Sequence, residues 1–100
     1  MKLFQASPDR LSNRALDAIQ AGRYDQAEKL GQQLLHDYPE LFDGHDRLGL
    51  LREAQGRFQE AADHYRAVLA MIQQDPQGTD ADTVQLFTER RDQALQQVKP

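Results

Sequence analysis

The sequence contains no cysteine, and this absence removes several classes of function. Without a thiol the chain can form no disulfide framework, and it offers neither a cysteine nucleophile nor a thiolate metal ligand. For the same reason, the cellular compartment cannot be inferred from thiol chemistry.

Long hydrophobic runs are missing as well. Near the start, only Leu3 and Phe4 follow Lys2 before polar sequence resumes, which is too short for the core of a signal peptide. No later stretch approaches the roughly 20 apolar residues that a membrane-spanning helix needs. We therefore expect a soluble, cytoplasmic chain with no membrane partner, or a piece of a longer protein.

Positive charge is scarce, with 12 Lys and Arg against 16 Asp and Glu and a formal net charge of −4 at pH 7. The two signs are interspersed along the chain. Nucleic-acid binding takes most of its affinity from clustered basic residues. The sequence therefore argues against a nucleic-acid partner.

Motifs for catalysis and metal binding are also lacking. Ser7 and Ser12 have no identifiable base beside them, and no glycine-rich phosphate loop occurs. His36, His45 and His64 have aspartates nearby in sequence, but their spacings fit no zinc or two-metal motif. We predict no enzymatic activity, no cofactor and no metal site, and we expect the histidines to be surface or packing residues.

What the sequence does contain is one short phrase that occurs twice. Gly22-Arg23-Tyr24-Asp25-Gln26-Ala27 returns as Gly56-Arg57-Phe58-Gln59-Glu60-Ala61, with the two glycines 34 positions apart. That period is typical of a helix–turn–helix repeat. The glycine can take a positive φ at the end of a helix, the aromatic ring fills the space behind the turn, and the alanine lets two helices approach closely. The phrase therefore predicts two helical hairpins.

Apolar residues at helical spacing predict five helices in an all-α, antiparallel helix-hairpin array. The first begins at Ser7-Pro8-Asp9, because a serine oxygen can cap an N–H group while Pro and Asp suit the first turn. This helix ends at Gly22. The others are expected over about residues 24–37, 41–55, 58–74 and 80–98. Thr79 is the expected N-cap of the last one.

The two copies of the phrase resemble tetratricopeptide repeats, over residues 8–41 and 42–75. The residues that carry the resemblance are Ala15, Gly22, Tyr24, Ala27 and Pro39 in the first copy and Leu48, Gly49, Gly56, Phe58, Ala61 and Tyr65 in the second. The fifth helix lacks the phrase and resembles the capping helix that members often place over their last repeat. The implied organisation is one domain, with a disordered lead-in at 1–7, two repeats, a loop at 76–79 and a capping helix at 80–98.

Some positions depart from the family pattern. The large aromatic expected early in the first helix of each repeat is replaced by Leu11 and His45, and the one expected near the end of that helix is Ala18 in the first copy and Arg52 in the second. In the middle of the second helix of the first copy, the usual aromatic is replaced by Gly31. We therefore expect looser or shifted packing around Gly31.

The resemblance implies a protein-binding scaffold whose first helices line a concave groove. The residues at groove-facing positions, called the groove residues below, are Asp9, Ser12, Leu16, Ile19, Asp43, Asp46, Leu50 and Glu53. Leu16 and Leu50 occupy equivalent positions and would form an apolar floor with an acidic rim. Such a groove suits a peptide or protein that offers leucine-like and basic side chains. In the alternative, these leucines are covered by the fifth helix or belong to the ordinary core.

Other roles stay open at this stage. Some relatives clamp a C-terminal carboxylate with Lys, Arg and Asn, but Asn13 and Arg47 alone do not rebuild that clamp here. Two repeats are fewer than the roughly three that a stable array needs. The chain could therefore be a structural module that associates with itself as a homodimer, or the interaction domain of a larger multidomain protein.

Overall fold

The computed structural model describes residues 5–75, 77 and 80–99. In this part the chain forms five helices and no strand, which confirms the all-α fold class; they are α1 (Pro8–Gln20), α2 (Tyr24–Asp37), α3 (Asp43–Ala54), α4 (Phe58–Gln74) and α5 (Ala81–Gln97). Each helix packs against the next, and α1 also packs against α3. Across the described residues, none of the helices combines the length and apolar character needed to cross a membrane.

Both hairpin turns close with the same backbone geometry. Gly22 and Gly56 have φ values of 76° and 75°. The residue after each glycine donates its N–H to a carbonyl five positions earlier, Arg23 to Ala18 and Arg57 to Arg52, both at 2.8 Å. Only a left-handed residue allows this closure, so the glycines of the repeated phrase end α1 and α3 as the sequence predicts.

Helix starts agree with the predictions only in part. The Ser7 hydroxyl accepts the Arg10 N–H at 3.2 Å, as expected for α1. By contrast, α3 begins at Asp43 rather than 41, because Leu41 is still in a turn and donates its N–H to the Tyr38 carbonyl. At α5 the cap is Asp80, whose carboxylate accepts the N–H of Thr83 at 2.8 Å. Thr79, like most of the 76–79 loop, lies outside the described residues.

The core consists of three clusters that follow the order of the helices. One lies inside the first hairpin, one lies between the hairpins, and one joins the second hairpin to α5; their buried members are Leu11, Ala15, Leu30 and Leu34, then Ala18, Ala27, Leu48 and Leu51, then Ala61, Ala62, Tyr65, Val68, Ile72, Phe87 and Ala94. The Phe87 ring contacts both Phe42 and Tyr65, with centroids 5.4 and 6.2 Å apart. The last helix therefore covers the second hairpin with its own apolar side.

Ala6 extends the first cluster toward the N-terminus. Its carbonyl accepts the Tyr38 hydroxyl at 2.6 Å, and its side chain packs against the first hairpin. This end of the predicted lead-in thus lies against α2. Residues 1–4 lie outside the described part of the chain.

In the two hairpins, different side chains fill the space at the middle of the second helix. In the second, the Tyr65 ring lies so close to Gly49 that a Cβ there would come within 2.5 Å of it. In the first, Gly31 stands at the position equivalent to Tyr65, and Leu48 from α3 fills the space, since a Cβ at Gly31 would lie 2.6 Å from Leu48 Cδ2. The looser packing expected around Gly31 is therefore wrong, because the following repeat supplies the missing side chain.

Candidate functional site

A chain of polar contacts crosses the surface that α1, α3 and α5 share. Arg47 of α3 donates from Nε to the Ser12 carbonyl of α1 at 3.0 Å and from Nη1 to Asp46 Oδ2 at 3.2 Å. Arg90 of α5 donates to the other carboxylate oxygen, Asp46 Oδ1, at 2.9 Å. These four residues, the Asp46 network, connect three helices across the predicted groove.

Asp46 is committed to this network. Its side chain is only 16% exposed. Burial raises the pKa of the Asp46 carboxyl, while the neighbouring Arg47 and Arg90 guanidinium groups act in the opposite direction. Arg90 also lies over the face of Phe87, 5.3 Å from the ring centroid. The Asp46 carboxylate is therefore already paired with two arginines of the same chain.

Three further groove residues have structural contacts. Ser12 is buried, with 6% of its surface exposed, and Ile19 packs against the cluster between the hairpins. Glu53 accepts the Tyr65 hydroxyl at 2.7 Å. Burial, followed by this hydrogen bond, raises the pKa of Tyr65, so the phenol stays protonated and donates. These contacts tie the three residues to the fold, although Ile19 and Glu53 stay half-buried.

The other four groove residues keep surface and charge available. Leu16, Leu50 and Asp43 are half-buried, and Asp9 is exposed. Within residues 5–75, 77 and 80–99, neither Asp9 nor Asp43 forms an ion pair. Burial raises the pKa of Asp43, the Asp46 and Asp9 carboxylates act in the same direction, and Arg47 opposes them. This surface therefore combines partly exposed leucines with two carboxylates that form no ion pair with any described residue.

Asp43 also borders a cavity that sequence analysis missed. The cavity has a volume of about 180 Å³ and lies between the start of α3 and the end of α4; it is lined by Glu40, Leu41, Phe42, Asp43, Met71, Ile72 and Asp75. Its apolar lining comes from Leu41, Phe42, Met71 and Ile72, and its three ionisable residues are all acidic. The acidic residues on either side of Leu41 and Phe42 were a signal for it, but Met71 comes from α4 and Asp75 directly follows that helix, which is more distant in sequence.

An ion pair between α2 and α3 was likewise missed. Arg52, only 8% exposed, donates to Glu28 through Nη1 at 2.6 Å and through Nη2 at 3.1 Å. The Arg52 hydrogen bond lowers the pKa of Glu28, partly opposed by burial. In the sequence, Arg52 is distinguished only because it replaces an aromatic residue of the repeat pattern. Here a paired arginine joins the two hairpins.

Comparison with known families agrees with this architecture. A family model described as tetratricopeptide repeat matches residues 12–78, which include both glycine turns and the Gly49–Tyr65 contact. A comparison with curated proteins finds no match. Repeats of this type generally mediate protein–protein interaction and are typically non-catalytic modules. Since the match covers more than half of the sequence and the helices follow the repeat, the chain belongs to the tetratricopeptide repeat family.

Proposed function

We propose that this chain binds a segment of a partner protein, extended or helical, on the surface formed by α1 and α3. The observation that carries the proposal is the contrast between Asp46, which has two arginine partners, and Asp9 and Asp43, which form no ion pair with the described residues. A partly buried carboxylate surrounded by other carboxylates is stabilised when a cation arrives. We therefore infer that the partner contributes Lys or Arg at this end.

The remaining contacts of the partner follow from the half-buried leucines. Leu16 and Leu50 stand at equivalent positions of the two repeats and would contact leucine-like side chains. Glu40 and Asp75 extend the acidic character toward the end of α4, where they line the same cavity as Asp43. Complementary charge would speed association and favour basic partners over acidic ones. We also propose that the chain works in the cytoplasm, as expected from the sequence.

Selection from a displayed peptide library tests the proposal without a known partner. The selected sequences should be enriched in Lys or Arg together with Leu-like residues. Binding of one selected peptide is then measured by fluorescence anisotropy for the wild type and for Leu16→Asp and Leu50→Asp. Leu86→Asp is the matched control, because Leu86 is 43% exposed on α5 and is not a groove residue.

We expect each groove variant to weaken binding by about tenfold or more, since a carboxylate would replace an apolar contact and leave a desolvated charge. The Leu86 variant should bind as the wild type does. Circular dichroism shows whether each variant keeps its helices. Folded groove variants with wild-type affinity, or a library that yields only acidic peptides, would contradict the proposal.

Self-association through α5 is a second candidate function. It is favoured by Val84, Leu86 and Val98, which are large apolar residues exposed at 38%, 43% and 38% on or just after this helix. Val84 and Leu86, two positions apart, point to different sides of the helix, and Val98 follows the end of α5 in an extended conformation. These exposed side chains therefore do not share one helix face, whereas a stable dimer usually needs a large interface.

A further inference from the structure

Two histidines meet across the second hairpin, outside the groove. His45 of α3 and His64 of α4 place their Nδ1 atoms 3.1 Å apart, and their ring centroids are 5.3 Å apart with the planes inclined by 41°. Both side chains are half-buried. At this distance one Nδ1 must carry a hydrogen and donate while the other accepts, because two unprotonated nitrogens would repel each other.

The hydrogen bond between the two Nδ1 atoms can persist only while few protons are added to the pair. In the neutral pair, the donor has a free Nε2 that can take a proton without disturbing the hydrogen bond. A second proton has to enter at the Nδ1 of the acceptor, since its Nε2 already carries a hydrogen. Two N–H groups would then point at each other between two positive rings. The contact therefore survives one added proton and breaks with the second.

The surroundings of the pair disfavour positive charge. Burial lowers the pKa of His45, and it is also the largest cause that lowers the pKa of His64, followed by His45 itself and by Arg52. The carboxylates of Glu28 in α2 and Asp63 in α4 act in the opposite direction and raise the pKa of His64. Glu60 of α4 also interacts with the His64 ring. Among the described residues, no group of α5 acts on either ring.

A metal-binding role is less well supported by the same geometry. In the described ranges, no group of three or more His, Cys, Asp or Glu residues is arranged to hold a metal ion. Among the described residues, such an ion would therefore have the two imidazoles as its protein ligands, whereas zinc sites usually have three or four.

We propose that the His45–His64 contact is a proton-sensitive joint, which holds α3 against α4 at neutral pH and weakens the second hairpin as the solution is acidified. Proton linkage determines whether folding stability rises or falls with pH. Both rings have pKa values below the ordinary 6.5 in the folded chain, so the unfolded chain binds more protons in mildly acidic solution. The stabilisation is complete above pH 6.5 and is lost as the pH falls through that value toward the lowered ones.

Urea unfolding at about pH 7.5 and about pH 5.5 tests the proposal. When the pH is lowered from about 7.5 to about 5.5, each histidine that stays neutral in the folded chain should raise the unfolding equilibrium constant about tenfold. We expect the double variant His45→Gln with His64→Gln to lose at least one such factor relative to the wild type. His36→Gln is the matched control, because His36 has a side chain that is 82% exposed and contacts Asp37 rather than the pair; the ratio should fall further in the double variant than in this one.

An equal pH response in the double variant and the wild type would overturn the proposal. If the double variant does not fold, the wild type alone decides by NMR titration of the imidazole nitrogens. Coupled transitions of His45 and His64 below pH 6.5, with opposite Nδ1 protonation in the two neutral rings, are the expected result. Two independent transitions at 6.5 or above would overturn it.

Discussion

The guanidinium of Arg90 in α5 lies 2.9 Å from the carboxylate of Asp46 in α3. Together with the contact between Phe87 and Phe42, this ion pair connects α5, which packs mainly against α4, to the start of α3. Two repeats are fewer than such an array usually needs, and α5 supplies the additional packing layer. Helix α5 thus stabilises the fold, and its Arg90 pairs with Asp46, so this groove residue is less available to a partner.

Removing Arg90 should therefore change both stability and binding. In Arg90→Gln, Asp46 keeps Arg47 but loses its charged partner on α5, and we expect a loss of about 1 kcal/mol, less than for a fully buried charged hydrogen bond because Arg90 is 28% exposed. The released carboxylate should make a selected basic peptide bind more tightly and with a steeper salt dependence. Urea unfolding and anisotropy at two salt concentrations measure the two effects. Unchanged affinity would mean that Asp46 does not contribute to the binding surface.

The ion pair between Arg52 and Glu28 should be worth more than its exposed counterparts. Glu28→Gln keeps the shape of the side chain but removes the carboxylate, so the buried Arg52 guanidinium is left with neutral acceptors, the amide oxygen at position 28 and the Gln55 side chain. We expect a loss of about 1–3 kcal/mol in the free energy of unfolding. Glu60→Gln, in the exposed pair with Arg57, is the control and should change little. Equal effects of the two variants would rule out a special role for Arg52.

The glycine turns should be sensitive to any side chain, although they have room for one. Apart from the adjoining residues, no described residue has an atom within 4 Å of a Cβ built on Gly22 or Gly56, so the cost of alanine comes from the backbone conformation. We expect Gly56→Ala to lose about 1–2 kcal/mol, because an L-residue disfavours positive φ. In a domain of this size that lowers the melting temperature by about 4–8 °C per kcal/mol. A melting temperature equal to that of the wild type would refute this account of the turn.

Gly49→Ala should destabilise for a different reason. The new methyl group would come within 2.5 Å of the Tyr65 ring, which is fully buried and cannot move away freely. We expect a loss of about 1–3 kcal/mol, as for other overpacked cores. The loss should shrink when Tyr65→Leu is already present, because the smaller side chain leaves space. Strictly additive losses in this double-mutant cycle would show that the two positions do not compete for volume.

Light scattering after size exclusion separates the two candidate functions. If the groove is the working surface, the chain should have the mass of a monomer in both dilute and concentrated samples. A mass that rises with concentration, and that Val84→Asp returns to the monomer value, would instead favour self-association through α5.

Local features of the fold could be predicted from the sequence, since neighbouring residues determine them. Gly22 and Gly56 specify their turns through their own backbone freedom, and the apolar spacing places the helices to within two residues. The start of α3 was misplaced because Pro39 is followed by a longer turn than the apolar pattern indicates.

Contacts between helices could not be predicted in the same way. Gly31 looked like a gap because the residue that fills it, Leu48, comes from the next repeat. Similarly, the helical position of Asp46 indicates its side of α3 but not that Arg90, 44 residues later, reaches it. Ser12 and Glu53 shared a predicted face with Leu16, yet the packing of α3 and α4 uses them internally. Such contacts depend on the register between helices, which periodicity within one helix does not specify.

Chemical-shift mapping with a selected peptide tests the central claim most directly. The peptide is titrated into ¹⁵N-labelled protein, and the amide shifts are followed across all five helices. The proposed function predicts that the largest changes lie in α1 and α3 around Leu16, Asp43 and Leu50, and that Asp43→Asn reduces them together with the affinity. Changes confined to the outer side of α5, around Val84 and Leu86, would contradict the claim that this chain binds its partner through the groove.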